Sequence, residues 1–434
     1  MYEENGKLNV IFDGSVLTNG LCNDSRKSGV FFVAYKLLDC FLKNDAIDLF
    51  LFLPNGSTYE AEKLKKLEII PSNFSNIITT KLPAWCYKLL EYSNQNRKNL
   101  LPSIIRFIYN RLKRIGKIFC NKKLKKYCDS QKRTIYFSPL NNIPNYISKN
   151  KKIKSYMLIH DLIPVLFKDF YKHYGIYRMQ KMEKILSSLS PNIKYFTVSN
   201  STKNDLLSIN PSIKSENIVV TYPSISHISP TKNKTSANEL RAKYNIPNDK
   251  KYILSLCSIE PRKNIIFAIQ NYLNFINKHN INDLVFVVGG GVWKEYKDTY
   301  EKFLGTVPKE RVINIGYVND EDVFELYSNA RIFVYPSIYE GFGLPVLEAM
   351  NAGCPVITSN TSSLPEVIGD AGIQINPKSN EEMVNAYEKM YFDTNYREDC
   401  IKKGLERAIQ FSWEECASTM YKQFCKDFID ETSI

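Results

Sequence analysis

The sequence predicts an α/β protein made of two Rossmann-like domains that face a central cleft, and three observations support this prediction. Short apolar runs alternate with helical patterns at both ends of the chain, which is typical of βαβ units in parallel sheets. A polar, proline-containing segment at 226–238 interrupts the alternation, which then restarts. With 434 residues, 44% of them hydrophobic, the chain can fill two cores of about 200 residues each.

The alternation divides the chain into four parts. We assign 1–225 to a first domain, 226–240 to a linker, 241–410 to a second domain and 411–434 to a terminal helix. The predicted strands are Leu8–Phe12, Leu49–Leu53, Thr134–Phe137, Ser155–Ile159, Tyr195–Val198, Lys251–Leu256, Leu284–Val288, Val312–Ile315, Ile332–Tyr335, Val356–Thr358 and Ile373–Ile375.

The cysteines, histidines and apolar runs of the chain exclude several classes of protein and of binding site. Ten cysteines without a Cys-x-x-Cys pair predict reduced thiols and a cytoplasmic location. None of the four histidines has a His or Cys partner at metal-ligand spacing, so we expect neither a metal centre nor a cofactor. The start of the chain lacks the apolar core of a signal peptide, and no apolar run approaches the roughly 20 residues that span a bilayer.

The most informative window is Ile332–Thr358, which predicts a strand, a loop, a helix and a second strand. Gly341 and Gly343 remove side chains from the turn, so bare backbone amides lie at the helix N-terminus, where a phosphate can bind. Glu340 ends the loop after the strand and Glu348 lies farther along the helix. Two such carboxylates suit the hydroxyl groups at opposite ends of a phosphorylated ligand.

A basic pair, Arg262 and Lys263, follows the strand Lys251–Leu256. Two cations that face a helix dipole across a crevice would stabilise the negative charge that develops on a departing diphosphate. A lone Arg-Lys pair is usually only solvated, and Gly-x-Gly by itself is usually an ordinary tight turn. The interpretation therefore depends on the whole set of residues.

The string from Glu340 to Glu348, EGFGLPVLE, resembles the E-x7-E motif of retaining glycosyltransferases of family 4, which have the GT-B fold. Three further segments are similar to that family: Tyr252–Asn264 with the basic pair, Tyr156–Pro164 with a strand-end histidine, and Ser28–Phe31 as a glycine-bearing loop. The resemblance is greatest to bacterial mannosyltransferase-like enzymes of surface polysaccharide assembly, such as lipopolysaccharide and capsule, and it is absent from 60 to 150.

The resemblance implies metal-independent transfer of a hexosyl unit, with retention, from a nucleotide sugar to a hydroxyl of a glycan or lipid-linked glycan. GDP-mannose is the preferred donor and a UDP-sugar the next. Arg262 and Lys263 would bind the diphosphate, Glu348 the ribose and Glu340 the sugar, which His160 would orient from the first domain. The remaining donor-binding residues implied by the resemblance are Gly29, Gly341, Phe342, Gly343 and Leu344. Either Gly14 or Gly29 could face the crevice.

Three alternatives remain. The same fold could serve a nucleotide-sugar epimerase or a phosphorylase, and a catalytically silent partner subunit could keep the fold for assembly. A glycosidase could use Glu340 and Glu348 as its acid–base pair, which requires carboxyl groups about 5–10 Å apart. The basic pair would then have no leaving phosphate to serve.

The net charge of +13 is concentrated in one segment, Lys81–Arg133, which holds 15 Lys and Arg against two acidic residues. Within it, Ser103–Phe119 predicts an amphipathic helix with Ile104, Ile105, Ile108, Leu112, Ile115 and Phe119 on one face. We predict that this segment binds an anionic membrane surface, on the inner face of the cell membrane, and that the protein binds no nucleic acid. A helix packed on the first sheet with a solvated basic side is the competing interpretation.

Overall fold

The computed structural model describes residues 7–21, 29–80, 100–169, 176–225 and 237–429. It contains two sheets in which every pairing is parallel, the arrangement expected of apolar strands with helices on both faces. The strands of the first sheet are β1 Leu8–Asp13, β2 Ile47–Ser57, β3 Ile77–Thr80, β4 Thr134–Ser138, β5 Ile153–Ile159, β6 Ile193–Thr197 and β7 Ile218–Val220. Those of the second are β8 Lys251–Leu256, β9 Leu284–Gly289, β10 Val312–Gly316, β11 Ile332–Tyr335, β12 Val356–Ser359 and β13 Gly372–Ile375.

Helices connect the strands in both halves of the chain. In the first half they are α1 Ser15–Leu21, α2 Gly29–Leu42, α3 Thr58–Lys66, α4 Leu100–Ser130, α5 Asn145–Ser148, α6 Ile163–Leu166, α7 Ile176–Leu186 and α8 Asn200–Ile209. In the second half they are α9 Ala237–Lys243, α10 Ile265–Lys278, α11 Lys297–Leu304, α12 Asp320–Ser328, α13 Leu344–Asn351, α14 Leu364–Ile368, α15 Asn380–Phe392, α16 Thr394–Ile409 and α17 Trp413–Ile429.

The strand order creates a switch point in each sheet. The first sheet runs β3-β2-β1-β4-β5-β6-β7 and the second β10-β9-β8-β11-β12-β13, so the order reverses between β1 and β4 and between β8 and β11. At such a point the connections leave in opposite directions and open a crevice beyond the carboxyl ends of the strands, where open α/β sheets bind ligands. The prediction of two Rossmann-like domains is confirmed.

All predicted strands are present, and the two that sequence reasoning missed, β3 and β7, are short edge strands. The stretch from Gly14 to Lys27, for which no strand or helix is predicted, contains helix α1, and its residues 22–28 lie outside the described ranges. Helix α9 begins at Ala237, inside the predicted linker, of which 226–236 is likewise outside them. Serine, threonine and asparagine lower the helix propensity of both segments. Packing of α1 on β2 and of α9 on α12 stabilises the two helices nevertheless.

The predicted terminal helix is present as α17, and it packs on the first domain although the second domain precedes it. The Phe424 ring lies 4.7 Å from that of Tyr156 and 5.7 Å from that of Phe196, both on strands of the first sheet. Asp427 accepts hydrogen bonds from Tyr156 and Lys194. The chain thus crosses the cleft twice, which ties the two domains together.

Helix α4 is longer than the predicted Ser103–Phe119 and spans about 46 Å at 1.5 Å per residue. Its C-terminal half packs on the first sheet through Cys120, Leu124 and Cys128, which are buried. Five apolar side chains that precede this packed part point outward instead of into the core: Phe107, Ile108, Ile115, Ile118 and Phe119 are each more than half exposed. The competing interpretation, a helix packed on the first sheet with a solvated basic side, therefore applies only to the C-terminal half of α4.

Candidate active site

A cavity of about 450 Å³ lies between the two domains at the switch point of the second sheet. Nine of the ten residues predicted for the site line it, namely Gly29, His160, Lys263, Glu340, Gly341, Phe342, Gly343, Leu344 and Glu348. Arg262 lies directly behind this lining, beside Glu340. Gly29, rather than Gly14, faces the crevice, because Gly14 packs against Leu51 and Leu53.

Glu340 is buried and is the centre of the polar contacts in the cavity wall. Its Oε1 atom lies 2.6 Å from Lys263 Nζ and 2.8 Å from Arg262 Nη1, and it accepts hydrogen bonds from Ser337 at 2.5 Å and Tyr335 at 3.0 Å. Burial alone would raise the pKa of Glu340, but Arg262 and Lys263 lower it to about 2. Since these four contacts all go to Oε1, Oε2 is left for a ligand. The ionised Glu340 is therefore suited to accept a hydrogen bond and unsuited to act as an acid.

The basic pair is held by acidic residues of the same wall. Arg262 also donates to Glu260, in the loop after β8, and to the carbonyl of Tyr339. Lys263, itself buried, donates to Tyr335 as well as to Glu340. A buried cation in such a network is stabilised by its carboxylate and still presents positive charge to the cavity. Lys263 contacts the cavity directly, whereas Arg262 acts from behind Glu340 in this conformation.

Helix α13 begins at the cavity, and two glycines permit its approach. Gly343, the N-cap, has a φ of 122°, which favours glycine strongly. A Cβ atom on Gly341 would lie 2.1 Å from the carbonyl oxygen of His160 in the other domain, so only glycine allows the two domains to meet here. The amides of Val346 and Leu347 donate to the Gly343 carbonyl and Pro345 has no N–H, so the amides of Gly343 and Leu344 are the ones at this helix start that can bind an anion in the cavity.

His160 lines the cavity from the first domain, at the end of β5. Burial lowers the pKa of His160 to about 4, so the ring is neutral at neutral pH. Its Nε2 atom lies 2.7 Å from the carbonyl oxygen of Pro139 and must therefore carry the proton. Nδ1 is consequently an acceptor, which suits a ligand hydroxyl.

Glu348 lines the cavity from α13, and its environment differs from that of Glu340. Its Oε2 atom accepts a hydrogen bond from Tyr327 at 3.3 Å, and no ion pair among the described residues involves it. Burial, with a smaller contribution from the nearby Asp320, raises the pKa of Glu348 to about 7 against the opposing hydrogen bond from Tyr327. A carboxylate of this kind gains stability when hydroxyl groups of a ligand donate to it.

Replacing Glu348 with glutamine should stabilise the unliganded protein at alkaline pH. The pKa of Glu348 lies above its ordinary value of 4.5, so the protein is most stable with this group protonated and loses stability as pH rises through about 7. Glutamine does not titrate. We expect Glu348→Gln to raise the melting temperature by about 2–5 °C at pH 8 and by little at pH 5. An equal difference at both values would contradict the assignment.

Several cavity residues were not predicted from the sequence. Asp161 lines the wall next to His160, and burial raises its pKa although Arg262 opposes this. Tyr317 and Asp320 line the far end, where Tyr317 is 70% exposed. The sequence predicts no role for the segment that begins at Gly316, because only the fold shows that β10 and β11 end at one crevice.

The domains also meet through hydrogen bonds beside the cavity. The carbonyl of Gly341 accepts from Ser199 Oγ at 2.6 Å, and the carboxylate of Glu366 accepts from the amides of Asn200 and Ser201 at 2.8 and 2.7 Å. Glu366 thus caps helix α8 of the other domain, where the helix dipole favours negative charge. These contacts hold His160 against Gly341.

The described residues contain no cluster of three or more His, Cys, Asp or Glu side chains that could hold a metal ion. Their eight cysteines are all free thiols. No helix within these residues has the length and apolar composition needed to cross a bilayer.

Comparison with known proteins places this geometry in a family. Residues 236–407 match the model of the glycosyl transferases group 1 family. The second domain belongs to that family. O-antigen chain mannosyltransferase B from Escherichia coli is 40% identical over 168 residues, which cover 38% of this chain and 44% of that protein. The chain spans less than half the length of the Escherichia coli mannosyltransferases it matches.

Solved structures are similar over almost the whole chain. WaaG, a glycosyltransferase involved in lipopolysaccharide biosynthesis, has a TM-score of 0.59 at 15% identity and covers 95% of this chain and 98% of its own. Anabaena HepE, solved with UDP and glucose, has a TM-score of 0.63 at 12% identity, with coverage of 96% and 100%. At these identities the likeness shows the fold, and the predicted GT-B arrangement is confirmed.

Proposed function

We propose that the protein transfers a mannosyl unit from a nucleoside diphosphate sugar to a hydroxyl of a glycan acceptor, with retention of configuration, as a family 4 enzyme. One observation carries the proposal: a single interdomain cavity combines an anion site with two carboxylates in different electrostatic states. GDP-mannose is the preferred donor, because the relative of 40% identity is named a mannosyltransferase. A UDP-sugar is the next candidate, since HepE was solved with UDP.

Each part of the donor has a complementary group in the cavity. The amides at the start of α13 and the ammonium of Lys263 would bind the diphosphate, with the charge of Arg262 behind them. Glu348 would accept hydrogen bonds from the ribose hydroxyls. Tyr317 and Asp320, farther from Glu340 along the sheet edge, would contact the base. This order places the sugar beside Glu340 and His160.

The proposed reaction depends on how the cavity stabilises the charge that develops during transfer. As the bond between the sugar and the diphosphate breaks, negative charge grows on the leaving phosphate, which Lys263 and the α13 amides stabilise. The free Oε2 of Glu340 holds a sugar hydroxyl, and the neutral His160 accepts another at Nδ1. The acceptor hydroxyl attacks from the face that the phosphate leaves, and a phosphate oxygen takes its proton. No protein nucleophile is required.

A nucleotide panel tests the proposal. The melting temperature should rise with GDP, or with UDP as the next candidate, and rise further with the corresponding sugar conjugate. A ligand at about 100 times its dissociation constant stabilises a protein by about 2.7 kcal/mol. Glu348→Ala should remove most of the shift. No response to any of GDP, UDP and ADP or their sugar conjugates would refute the donor site, and products from a sugar phosphate or a glycoside alone would favour a phosphorylase or a glycosidase.

We also propose that transfer needs no divalent metal, because Lys263, Arg262 and a helix N-terminus supply the positive charge that a metal would supply. Protein treated with EDTA and assayed in chelator should keep its full rate of nucleotide release. A complete loss of activity that magnesium or manganese restores would contradict this.

The outward face of α4 supports the proposed membrane contact. The exposed side chains of Phe107, Ile115, Ile118 and Phe119 share this face with basic residues, as expected of a helix that lies at a lipid surface. The described basic residues of α4 that are exposed are Arg111, Arg114, Lys117, Lys122, Lys123, Lys125 and Lys126. Residues 81–99, with Trp85 and Tyr87, lie outside the described ranges. An acceptor carried by lipid on the cytoplasmic side would meet the enzyme here.

Liposome sedimentation tests this contact. The protein should bind vesicles that contain about 30% phosphatidylglycerol and bind neutral vesicles far less, because each basic residue near an anionic leaflet contributes on the order of 1 kcal/mol. Changing Lys122, Lys123, Lys125 and Lys126 to Ser should reduce binding at least tenfold. Changing Lys389, Lys402 and Lys426, far from α4 in the sequence, to Ser is the control. Equal binding to both vesicles would contradict the proposal, and binding to duplex DNA of equal affinity would favour a general polyanion site.

A further inference from the structure

A second, smaller cavity of about 180 Å³ lies in the first domain, apart from the donor cavity. It opens beyond the carboxyl ends of β1 and β4, at the point where the strand order of the first sheet reverses. Open α/β sheets bind ligands at such switch points. The donor cavity occupies the equivalent place in the second sheet, so each domain has one cavity at its switch point.

The lining of this second cavity is polar. It includes Asp13 at the end of β1, Tyr136 on β4, Lys117 and Asn121 on α4, and Asn141 and Asn142 in the loop after β4. Aspartate, asparagine, tyrosine and lysine together provide both acceptors and donors at short range, as the hydroxyl groups of a sugar require.

Three side-chain amides of the lining each have one atom without a hydrogen-bond partner, although Asn142 Nδ2 donates to the carbonyl of Lys184. The buried atoms Asn121 Oδ1, Asn141 Nδ2 and Asn142 Oδ1 make no hydrogen bond within the described residues. A buried polar atom without a partner is costly, and several of them on one cavity wall indicate a group that binds there. Two are acceptors and one is a donor, so an ion of one sign would not satisfy them.

Asp13 is buried and is held by three hydrogen bonds, from the amide and hydroxyl of Ser15 and from Tyr136 at 3.2 Å. No ion pair among the described residues includes it, although the ammonium of Lys117 is near enough to favour its charged form. A buried carboxylate that is held by hydrogen bonds and makes no ion pair is well suited to accept from ligand hydroxyls.

The second cavity connects to the reaction site through the loop after β4. The carbonyl of Pro139 accepts the hydrogen bond from His160, and Asn141 follows two residues later. Strand β1 lies two positions from β5 in the sheet, which is about 10 Å at 4.8 Å per strand. A ligand in the second cavity is therefore about one or two sugar rings from the sugar that His160 would orient.

We infer that the second cavity is the subsite for a sugar residue of the glycan acceptor, recognised through Asp13, Asn121, Asn141 and Asn142. The inference rests on the proposed transfer reaction for the identity of its ligand. It goes beyond that reaction because it states where the acceptor sugar binds and which side chains recognise it. Helix α4 then has two roles, since its inner side forms part of this subsite and its outer side forms the proposed lipid contact.

The test measures glycoside binding directly, by saturation-transfer difference NMR in the presence of saturating GDP or UDP. The probes are the methyl glycosides of mannose, galactose, glucose, N-acetylglucosamine and rhamnose. At least one should give a signal that nucleotide does not displace. Asn121→Leu and Asn141→Ala should each lower that signal at least tenfold, while Asn73→Ala, an exposed asparagine of the same domain, should leave it unchanged.

The nucleotide shift of the same variants separates the two proposals. Unchanged nucleotide binding with lost glycoside binding supports the subsite, and unchanged melting temperature in the absence of ligand shows that the variants are folded. Absence of a signal with all five glycosides, or a signal that survives both substitutions, would overturn the inference. Binding of inorganic phosphate in place of glycosides would likewise overturn it. Failure of the parent to bind any nucleotide would count against the donor site alone.

Discussion

Replacing Glu340 with alanine is expected to lower turnover at least a hundredfold. The side chain accepts four hydrogen bonds at one oxygen and holds Lys263 and Arg262 at the cavity. Alanine removes the contact with the sugar and leaves the buried ammonium of Lys263 without a carboxylate. Removing one partner of a buried ion pair costs about 3–5 kcal/mol, so the melting temperature should also fall. The readout is the rate of nucleotide release at saturating donor.

Two further variants separate catalysis from stability. Glu340→Gln retains the shape and part of the hydrogen bonding, and it should still lose most of the turnover. Glu381→Ala, an exposed glutamate of the same domain, should change neither quantity. Glu348→Ala should act mainly on nucleotide affinity, because a ribose contact is similar in the ground state and the transition state. If Glu340→Ala keeps turnover within a few-fold of the parent, the proposed active site is wrong.

Replacing Gly341 with alanine should cause a loss of similar size by a different route. The added Cβ would lie 2.1 Å from the His160 carbonyl oxygen and 2.9 Å from the Asp161 side chain, so the domains would have to separate. A misplacement of about 1 Å at a reacting centre can cost about a hundredfold in rate. We expect kcat/KM to fall by that factor, with little change in nucleotide binding, which the second domain provides.

Gly291→Ala is the matched control, because no atom lies within 4 Å of the position that its Cβ would take. It should retain the parent rate and stability. Small-angle scattering should show a more open shape for Gly341→Ala than for Gly291→Ala. A fully active Gly341→Ala protein would show that the contact between His160 and Gly341 is not needed for the reaction.

The sequence by itself determined the positions of the main strands, the terminal helix and nine of the residues that line the interdomain cavity. These features are local: buried parallel strands appear as continuous apolar runs, and the string from Glu340 to Glu348 carries its glycines and carboxylates at fixed spacing. Nine predicted residues line one cavity because strands of one sheet deliver their carboxyl ends to one edge.

Only the tertiary structure decided which of these side chains can contact a ligand. Arg262 and Lys263 look equivalent in the sequence, yet packing places Arg262 behind Glu340 and Lys263 in the cavity wall. The different pKa values of Glu340 and Glu348 arise from cations on a strand–helix connection some 80 residues away in the chain. The second cavity combines the end of β1 with α4 and the loop after β4, which contribute residues about 100 or more positions later in the chain. Such contacts depend on long-range packing, which periodicity and spacing do not encode.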